Sequence, residues 1–356
     1  MLYYKENFEQ SKEYFDAYWN LENHDRCLLS MTMPRKDGKV LPPQQPCSLE
    51  ERYTNPLLMH ESMLRGCEQN VYLYEALPSA LPYFGTAAEC EYFGCKPGYA
   101  PETIWFDPVL HEPDADKMVY DPTAFERQKQ YTRELVKLAG NQYLVGMNDN
   151  CGIIDGLAQL RGVNELLFDM VDNPEFVHAA RDKILAVWKD TQKEFFEIIK
   201  ENNFGGSSHA WMSLWSDKRH LQLQCDYSCM ISSAMFEEFV LPELEETSAA
   251  FEHCSYHLDG IEQLRHLDMI LSVKTINNIQ WTHVAGQPKV SENIEALKKI
   301  QKAGKGLVLI PQRDEIDFLT RNLSPEGVII CVGGVKDLEE AKAIEKLVSE
   351  NACIHR

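Results

Sequence analysis

The chain reads as an α/β protein built as a single (β/α)8 barrel with an N-terminal elaboration, and three observations predict it. First, from Cys254 onward short β-branched apolar runs alternate with amphipathic stretches: CSYHL then IEQLRHLDMIL, INNIQW then SENIEALKKIQKAG, GLVLI then RDEIDFLTRNL, GVIICV then DLEEAKAIEKLV. Four consecutive βα units imply parallel strands with right-handed crossovers. Second, GLVLI and GVIICV are continuous apolar runs, the pattern of strands buried on both faces. Third, no Gly-rich dinucleotide fingerprint follows the first strand, which favours a barrel over a doubly wound open sheet.

Taken in order, residues 1–100 read as the elaboration and 101–356 as the barrel. The elaboration holds a polar N-terminal helix, LLSMTM as a strand, and the Pro- and aromatic-rich LPSALPYFGTAAECEYFGC as a cap on the barrel mouth. YLVGM, at 143–147, reads as a buried strand, Asp155 to Met170 as a helix, and Asn173 before Pro174 as the start of a long helix to about Lys200. HAWMSLW and LQLQC read as strand segments, followed by a helix from about Ala234 to Phe251. Near the C-terminus, Gly304 stands where a helix C-cap needs positive φ, and Asp337 with Glu340 forms an acidic capping box.

Composition limits the partners. With 44% hydrophobic and 25% charged residues in 356, the chain is of ordinary globular type and long enough to bury a sizeable core. Lys and Arg number 35 against 55 Asp and Glu, a net charge of −20 that repels phosphate backbones and anionic lipid, so neither nucleic acid nor membrane is an expected partner. The cysteines number 11, an odd count, and the opening MLYYKENFEQSKEYF lacks a basic n-region or apolar h-region, which points to the cytoplasm. Neither the Cys90/Cys95 nor the Cys225/Cys229 pair has a second pair at zinc-ribbon spacing. A homodimer, the commonest soluble assembly, is compatible with all of this.

In such a barrel the reactive groups lie at the C-terminal ends of the strands. That rule collects Asn148 and Asp149 after YLVGM, His257 and Asp259 at the end of CSYHL, Trp281 and His283 at the end of INNIQW, Gln312 after GLVLI, and Cys331 in GVIICV. His257 and Asp259, two apart, point the same way. Plainer roles stand beside these. Asp155 is equally a helix N-cap and Asp259, before Gly260, a turn former. A lone strand His is commonly hydrogen-bonded in the core, Trp281 is most simply core, and Cys331 is most simply a small buried hydrophobe.

Three segments carry a family resemblance. GIIDGLAQLRGVNELLFDMVDNPEFVHAA, with its Arg161–Gly162 pair and D-x-P-E step, resembles a hallmark of the uroporphyrinogen decarboxylase superfamily. QCDYSCMISSAMFEEFVLPEL, with Asp226 and a Ser ahead of a helix, is similar to its next signature, and SYHLDGIEQLRHLDMIL to the strand-turn-helix that follows. The resemblance covers about residues 105–350 in order and implies a (β/α)8 barrel with a deep cleft.

Two chemistries follow from it. Uroporphyrinogen decarboxylases carry an N-terminal segment rich in Arg that grips a tetrapyrrole's carboxylates. Here residues 1–100 hold only Arg26, Arg35, Arg52 and Arg65, scattered. The other branch moves methyl groups between a corrinoid protein and a thiol, using zinc held by a His-x-Cys pair and a later Cys. In this chain that pair reads His257-Leu258-Asp259, with Cys331 in the later position, and all three residue types can bind zinc. The resemblance thus implies a methyltransferase-type enzyme acting on a small molecule or corrinoid. Two alternatives stand beside it: a decarboxylase of a tetrapyrrole or smaller carboxylate, and a non-catalytic corrinoid- or tetrapyrrole-binding protein. The catalytic set is His257, Asp259, Asp149 and Asp226; Asn148, Asp155, Arg161, Trp281 and Gln312 would bind substrate, and His257, Asp259 and Cys331 zinc.

Overall fold

The computed structural model describes residues 1–282 and 284–355, so His283, one of the rim candidates, lies outside the described residues. The apolar runs read above form the central sheet. Its seven strands lie in the order Asn70–Tyr74, Leu28–Pro34, Val328–Val332, Gly306–Leu309, Asn278–Thr282, His253–Asp259 and His220–Leu223. All neighbours pair in parallel except Asn70–Tyr74, which runs antiparallel to Leu28–Pro34. The sheet therefore begins inside the first hundred residues, and its first long strand lies against its last.

The closed eight-stranded barrel expected from the sequence is not formed as a continuous ladder among the described residues. Short pieces occupy the remaining arc: Ser79–Ala80 pairs in parallel with Leu144–Val145, and Ser207–His209 antiparallel with Leu214–Ser216. Single bonds join them, Gly146 N–H to the Ala80 carbonyl at 2.9 Å and Met147 N–H to the Ser208 carbonyl at 2.8 Å. A Cβ at Gly146 would meet those same carbonyl oxygens at 3.3 and 2.9 Å, so glycine is what lets the backbones approach here. YLVGM accordingly yields only a two-residue strand.

The helices follow the caps. Gly304 has φ +73°, and the Asp337 carboxylate accepts the Glu340 N–H at 2.9 Å, as their positions predict. The long helix runs Pro174–Ile199. By contrast, the helix expected over Asp155–Met170 is two helices, Ile153–Arg161 and Val163–Asp172, broken at Gly162 with φ +105°. The one expected over Ala234–Phe251 widens by a turn at Phe236–Val240, just ahead of Pro242, before Leu241–Ser248 completes it.

Alternation along the strands separates two faces. Leu29, Met31, Leu221, Leu223, Tyr256, Leu258, Ile279, Trp281, Leu307, Leu309, Val328 and Ile330 point outward into the core shared with the helices. Leu28, Val308 and Ile329 point inward, where Phe8, Phe15, Tyr18 and Trp19 of the N-terminal helix Phe8–Trp19 cover them together with Met212 and Trp215. Each such side chain contributes about 1.5–3 kcal/mol of transfer free energy. Trp19 stacks on His253 at the start of its strand, ring centroids 4.2 Å apart, and donates Nε1–H to the Trp215 carbonyl at 2.9 Å. The inner space is thereby closed at the N-terminal ends of the strands, which leaves the C-terminal ends as the way in.

All 11 cysteines are free thiols. Among the described residues, no helix is long and apolar enough to cross a membrane.

Candidate active site

On the inner face of three neighbouring strands the pattern turns polar. His220 and Gln222, then Ser255, His257 and Asp259, then Asn278, Gln280 and Thr282 all occupy inward positions. A buried run of this kind is tolerated only when hydrogen-bonded, and most of it is. His220 Nε2 meets Ser255 Oγ at 2.9 Å. Asn150 Nδ2 donates to Gln222 Oε1 at 3.1 Å, Gln222 Nε2 to Gln224 Oε1 at 2.5 Å, and Gln224 Nε2 to Asp226 Oδ2 at 3.0 Å. This directed chain of amides ends on the Asp226 carboxylate, whose Oδ1 accepts no hydrogen bond among the described residues.

His257 is held the same way. Its Nδ1 lies 2.5 Å from Gln280 Oε1, an atom that can only accept, so Nδ1 carries the hydrogen and Nε2 carries the lone pair. Thr282 Oγ donates to the same Gln280 oxygen at 3.2 Å and fixes it. Burial lowers the His257 pKa from its ordinary value, partly offset by Gln280 and by the charges of Asp259 and Asp155. At neutral pH the ring is therefore a neutral base, and Nε2 makes no hydrogen bond among the described residues.

Asp149 joins His257 through Trp211. The Trp211 Nε1–H donates to Asp149 Oδ1 at 3.1 Å, the Thr86 hydroxyl donates to Oδ2 at 3.2 Å, and the Trp211 ring stands edge-on to the His257 ring with centroids 5.0 Å apart. Burial pushes the Asp149 carboxyl up to about 6 despite these bonds. Asp226 is also pushed up, by its crowded surroundings and then by the facing charges of Asp155, Asp259 and Asp149; because the residue is exposed at the rim, solvent tempers that push. Asp259, half-buried, makes no hydrogen bond or ion pair among the described residues.

The remaining expected residues lie elsewhere or are otherwise engaged. Asp155 accepts the backbone N–H groups of Tyr227, Asp226 and Gly152 at 2.8, 3.0 and 3.1 Å. It is not the helix N-cap that its position allowed, because the helix already begins at Ile153 after Gly152; from the third helical position its carboxylate reaches back to the Gly152 N–H and clasps the helix start to the Asp226 turn. The Arg161 guanidinium is taken up by Asp169 at 2.7 Å and by the Leu110 and His111 carbonyls. Trp281, 1% exposed, points outward into the apolar core, because alternation sends it opposite to Gln280. Gln312 is exposed ahead of the Ile316–Asn322 helix, its backbone N–H capped by Glu315 at 2.7 Å.

Cys331 does not come to His257 and Asp259. His257 is in register with Gln280, Gln280 with Val308 and Val308 with Ile329, so Cys331 stands three strands away, about 14 Å along the sheet. Its thiol packs with the inner apolar cluster beside Tyr18, and burial raises its pKa to about 11. Zinc requires ligand atoms about 2.0–2.3 Å from one ion. The expected set cannot meet that, and among the described residues no three His, Cys, Asp or Glu side chains are placed to hold a metal.

Sequence reasoning missed several groups. His209, fully buried, faces the Trp211 ring at 5.3 Å, and neither ring nitrogen has a hydrogen-bond partner among the described residues; burial pushes its pKa down to about 3. Glu89 accepts the Cys151 thiol at 3.1 Å and is pushed up to about 7 by burial, while Glu243 caps Ile153 and Ile154 N–H at 3.1 and 3.0 Å. The inward alternation of Gln280 was legible in INNIQW. Nothing local marked the others.

A separate cavity of about 210 Å³ lies away from this mouth, lined by Tyr53, Phe84, Tyr99, Tyr131 and the Glu91–Arg127 ion pair.

No protein-family model matches the chain, and no curated protein matches it in sequence. Among solved structures, a methyltransferase from Methanosarcina mazei has a similar fold, with a TM-score of 0.60 at 14% identity over 96% of this chain and 98% of that one. At that identity the likeness is one of fold.

Proposed function

We propose that this protein is a methyltransferase of the uroporphyrinogen decarboxylase-like barrel type, moving a methyl group between a small molecule and a thiol or corrinoid. The observation that carries the reading is His257, held by Gln280 as the Nδ1–H tautomer with the Nε2 lone pair free at a mouth closed from behind. Fold likeness over nearly the whole chain to a protein named as a methyltransferase supports it. Methylating a thiol forms an S–C bond, breaks the bond from the methyl carbon to its donor, and releases the thiol proton. His257 Nε2 takes that proton, the donor leaves with the bonding pair, and Asp259 beside it favours the resulting imidazolium. Asp149 acts as a positioning residue by holding Trp211 against the ring, and Asp226 supplies polar character at the rim. A corrinoid enters as substrate, as the resemblance implies. No step is routed through zinc, because the residues expected to hold it do not fit.

A second reading, decarboxylation of a small carboxylate, draws on Glu89 and Asp149, whose pKa values of about 7 and 6 keep protons near neutrality for the carbon that loses CO2. One experiment separates the readings. The protein is incubated with methylcobalamin and a panel of thiols, with thioether followed by mass spectrometry and cobalamin by absorbance. Thioether formation that falls about 100-fold or more in His257→Gln supports methyl transfer. Cobalamin binding without demethylation supports a carrier, and CO2 release from added carboxylates without thioether supports the decarboxylase.

A further inference from the structure

The cavity of about 210 Å³ apart from the His257 mouth is walled largely by aromatic rings. One wall is a face of the helix Thr123–Ala139, on which Arg127, Tyr131 and Glu134 follow at i, i+4 and i+7. Phe84, Tyr53 and Tyr99 supply others, and these rings are held from several sides. The Tyr53 hydroxyl donates to the Ala100 carbonyl at 2.8 Å, which ties the helix Leu49–Thr54 to the hairpin of Pro97–Tyr99 with Ile104–Phe106. The Tyr53 and Tyr99 rings lie 16° from parallel with centroids 6.1 Å apart, and Tyr131 meets Phe84 edge-on at 5.2 Å.

The charges in the lining are already matched. The Glu91 carboxylate accepts Arg127 Nη2–H at 2.7 and 2.8 Å and Gln128 Nε2–H at 3.0 Å, and Gln128 Oε1 accepts the Tyr92 hydroxyl at 2.6 Å. Glu134 stands at the exposed rim, bonded by Gln130 at 2.7 Å. An anion would meet two carboxylates for one guanidinium, and a cation would meet only a carboxylate already paired or one screened by solvent.

Tyr131 is left over. It is 6% exposed, and its hydroxyl makes no hydrogen bond among the described residues, yet the oxygen is not among the buried atoms sealed from solvent. Since the rest of the residue is covered, the part that stays accessible is the part that lines the cavity. A phenolic oxygen both donates and accepts, so a hydroxyl arriving from the cavity satisfies it. Size sets the rest: an apolar cavity of about 150 Å³ holds benzene, so this one has room for a single ring with a small substituent.

We infer that this cavity is a second ligand site, which takes an uncharged phenol of one ring. The ring packs against Tyr53, Phe84 and Tyr99, and its hydroxyl bonds to that of Tyr131. Aromatic pairs gain more than their buried area alone provides, which favours a flat ring over a saturated one. The inference does not rest on methyl transfer.

The test is calorimetric titration of the full chain with p-cresol, beside toluene, 4-methylcyclohexanol, benzoate and benzylammonium. The cresol should bind below about 1 mM, about five-fold more tightly than toluene, which lacks the hydroxyl, and than 4-methylcyclohexanol, which lacks the π face. Benzoate and benzylammonium should bind at least about ten-fold more weakly. Tyr131→Phe should bring p-cresol to the level of toluene and leave toluene unchanged; the hydroxyl has no bond to lose, so the fold is kept. Tyr99→Ala should weaken both about ten-fold, and His257→Gln should leave both as they are. The inference is overturned if p-cresol does not bind below about 1 mM, if 4-methylcyclohexanol or either charged ligand binds as tightly, or if Tyr131→Phe binds p-cresol as the parent does. Loss of p-cresol binding in His257→Gln would place the ligand at the other mouth and overturn it too. The thiol assay above reads the proposed function separately, so either can fail alone.

Discussion

The inner face of the sheet divides into two arcs with the same backbone and opposite chemistry. On Leu28–Pro34, Val328–Val332 and Gly306–Leu309 the inward residues include Leu28, Ile329 and Val308, buried under the N-terminal helix. On His220–Leu223, His253–Asp259 and Asn278–Thr282 they are His, Gln, Ser, Asp, Asn and Thr. The apolar arc gains free energy simply by being covered. The polar arc must find a partner for every donor and acceptor, and among the described residues it leaves a few atoms unpaired, among them the Asn278 amide and His220 Nδ1. A fold optimised only for stability would not keep such a region, so the difference separates the part of the sheet that holds the molecule together from the part on which the proposed function draws.

The contrast can be broken by substitution. The largest effect is expected at His257→Gln, where activity should fall about 10²- to 10⁴-fold while the thermal midpoint moves only a few degrees, because a half-buried rim residue removes little packing. A midpoint drop as large as that of a core mutant would place His257 with the apolar arc. Ile329→Ala should do the reverse, lowering stability by about 2–5 kcal/mol in urea unfolding with kcat of the folded fraction preserved.

The pH dependence sharpens the contrast further. Asp149 has a folded pKa of about 6 against the ordinary 3.8, so between those values the folded state binds more protons than the unfolded one. The sign follows: Asp149 causes no loss below about pH 4, and its contribution turns unfavourable as pH rises through 4 to 6. Asp149→Asn, which keeps an oxygen for Trp211, should remove up to about 3 kcal/mol of that loss at pH 7 and flatten the stability profile in this window. A variant that is less stable than the parent at pH 7 would show that the hydrogen bonds outweigh the desolvation.

The smallest effect is expected at Gln280→Leu. Loss of Gln280 leaves Nδ1 with only the Thr282 hydroxyl at 3.1 Å, which can accept or donate and so lets His257 change tautomer; activity should fall about ten-fold, with a stability change of about 1–2 kcal/mol and a shifted pH–rate profile. An unchanged pH–rate profile would mean that Gln280 does not set the ring's protonation.

The sequence by itself determined what repeats locally. Strand runs from Cys254 onward, the Gly304 and Asp337 caps, the Pro174 helix start and the same-side placement of His257 and Asp259 all follow from periodicity and capping, which neighbouring residues specify. Tertiary structure alone decided what depends on distant partners. Closure of the sheet was one such matter, since Gly146 and the short Ser79–Ala80 and Ser207–His209 pieces replace full strands. Another was whether a polar residue near a strand end is free. Asp155 is consumed by the Asp226 turn and Arg161 by Asp169 and the Leu110 carbonyl, Trp281 faces the helices, and Cys331 stands three strands from His257, whereas Trp211 arrives against the His257 ring, with His209 beside it, from HAWMSLW, which reads as a strand without showing which of its side chains meet the site. Hydrogen-bond satisfaction is a property of the whole packed molecule, and the one-dimensional pattern records which groups need partners but not which groups receive them.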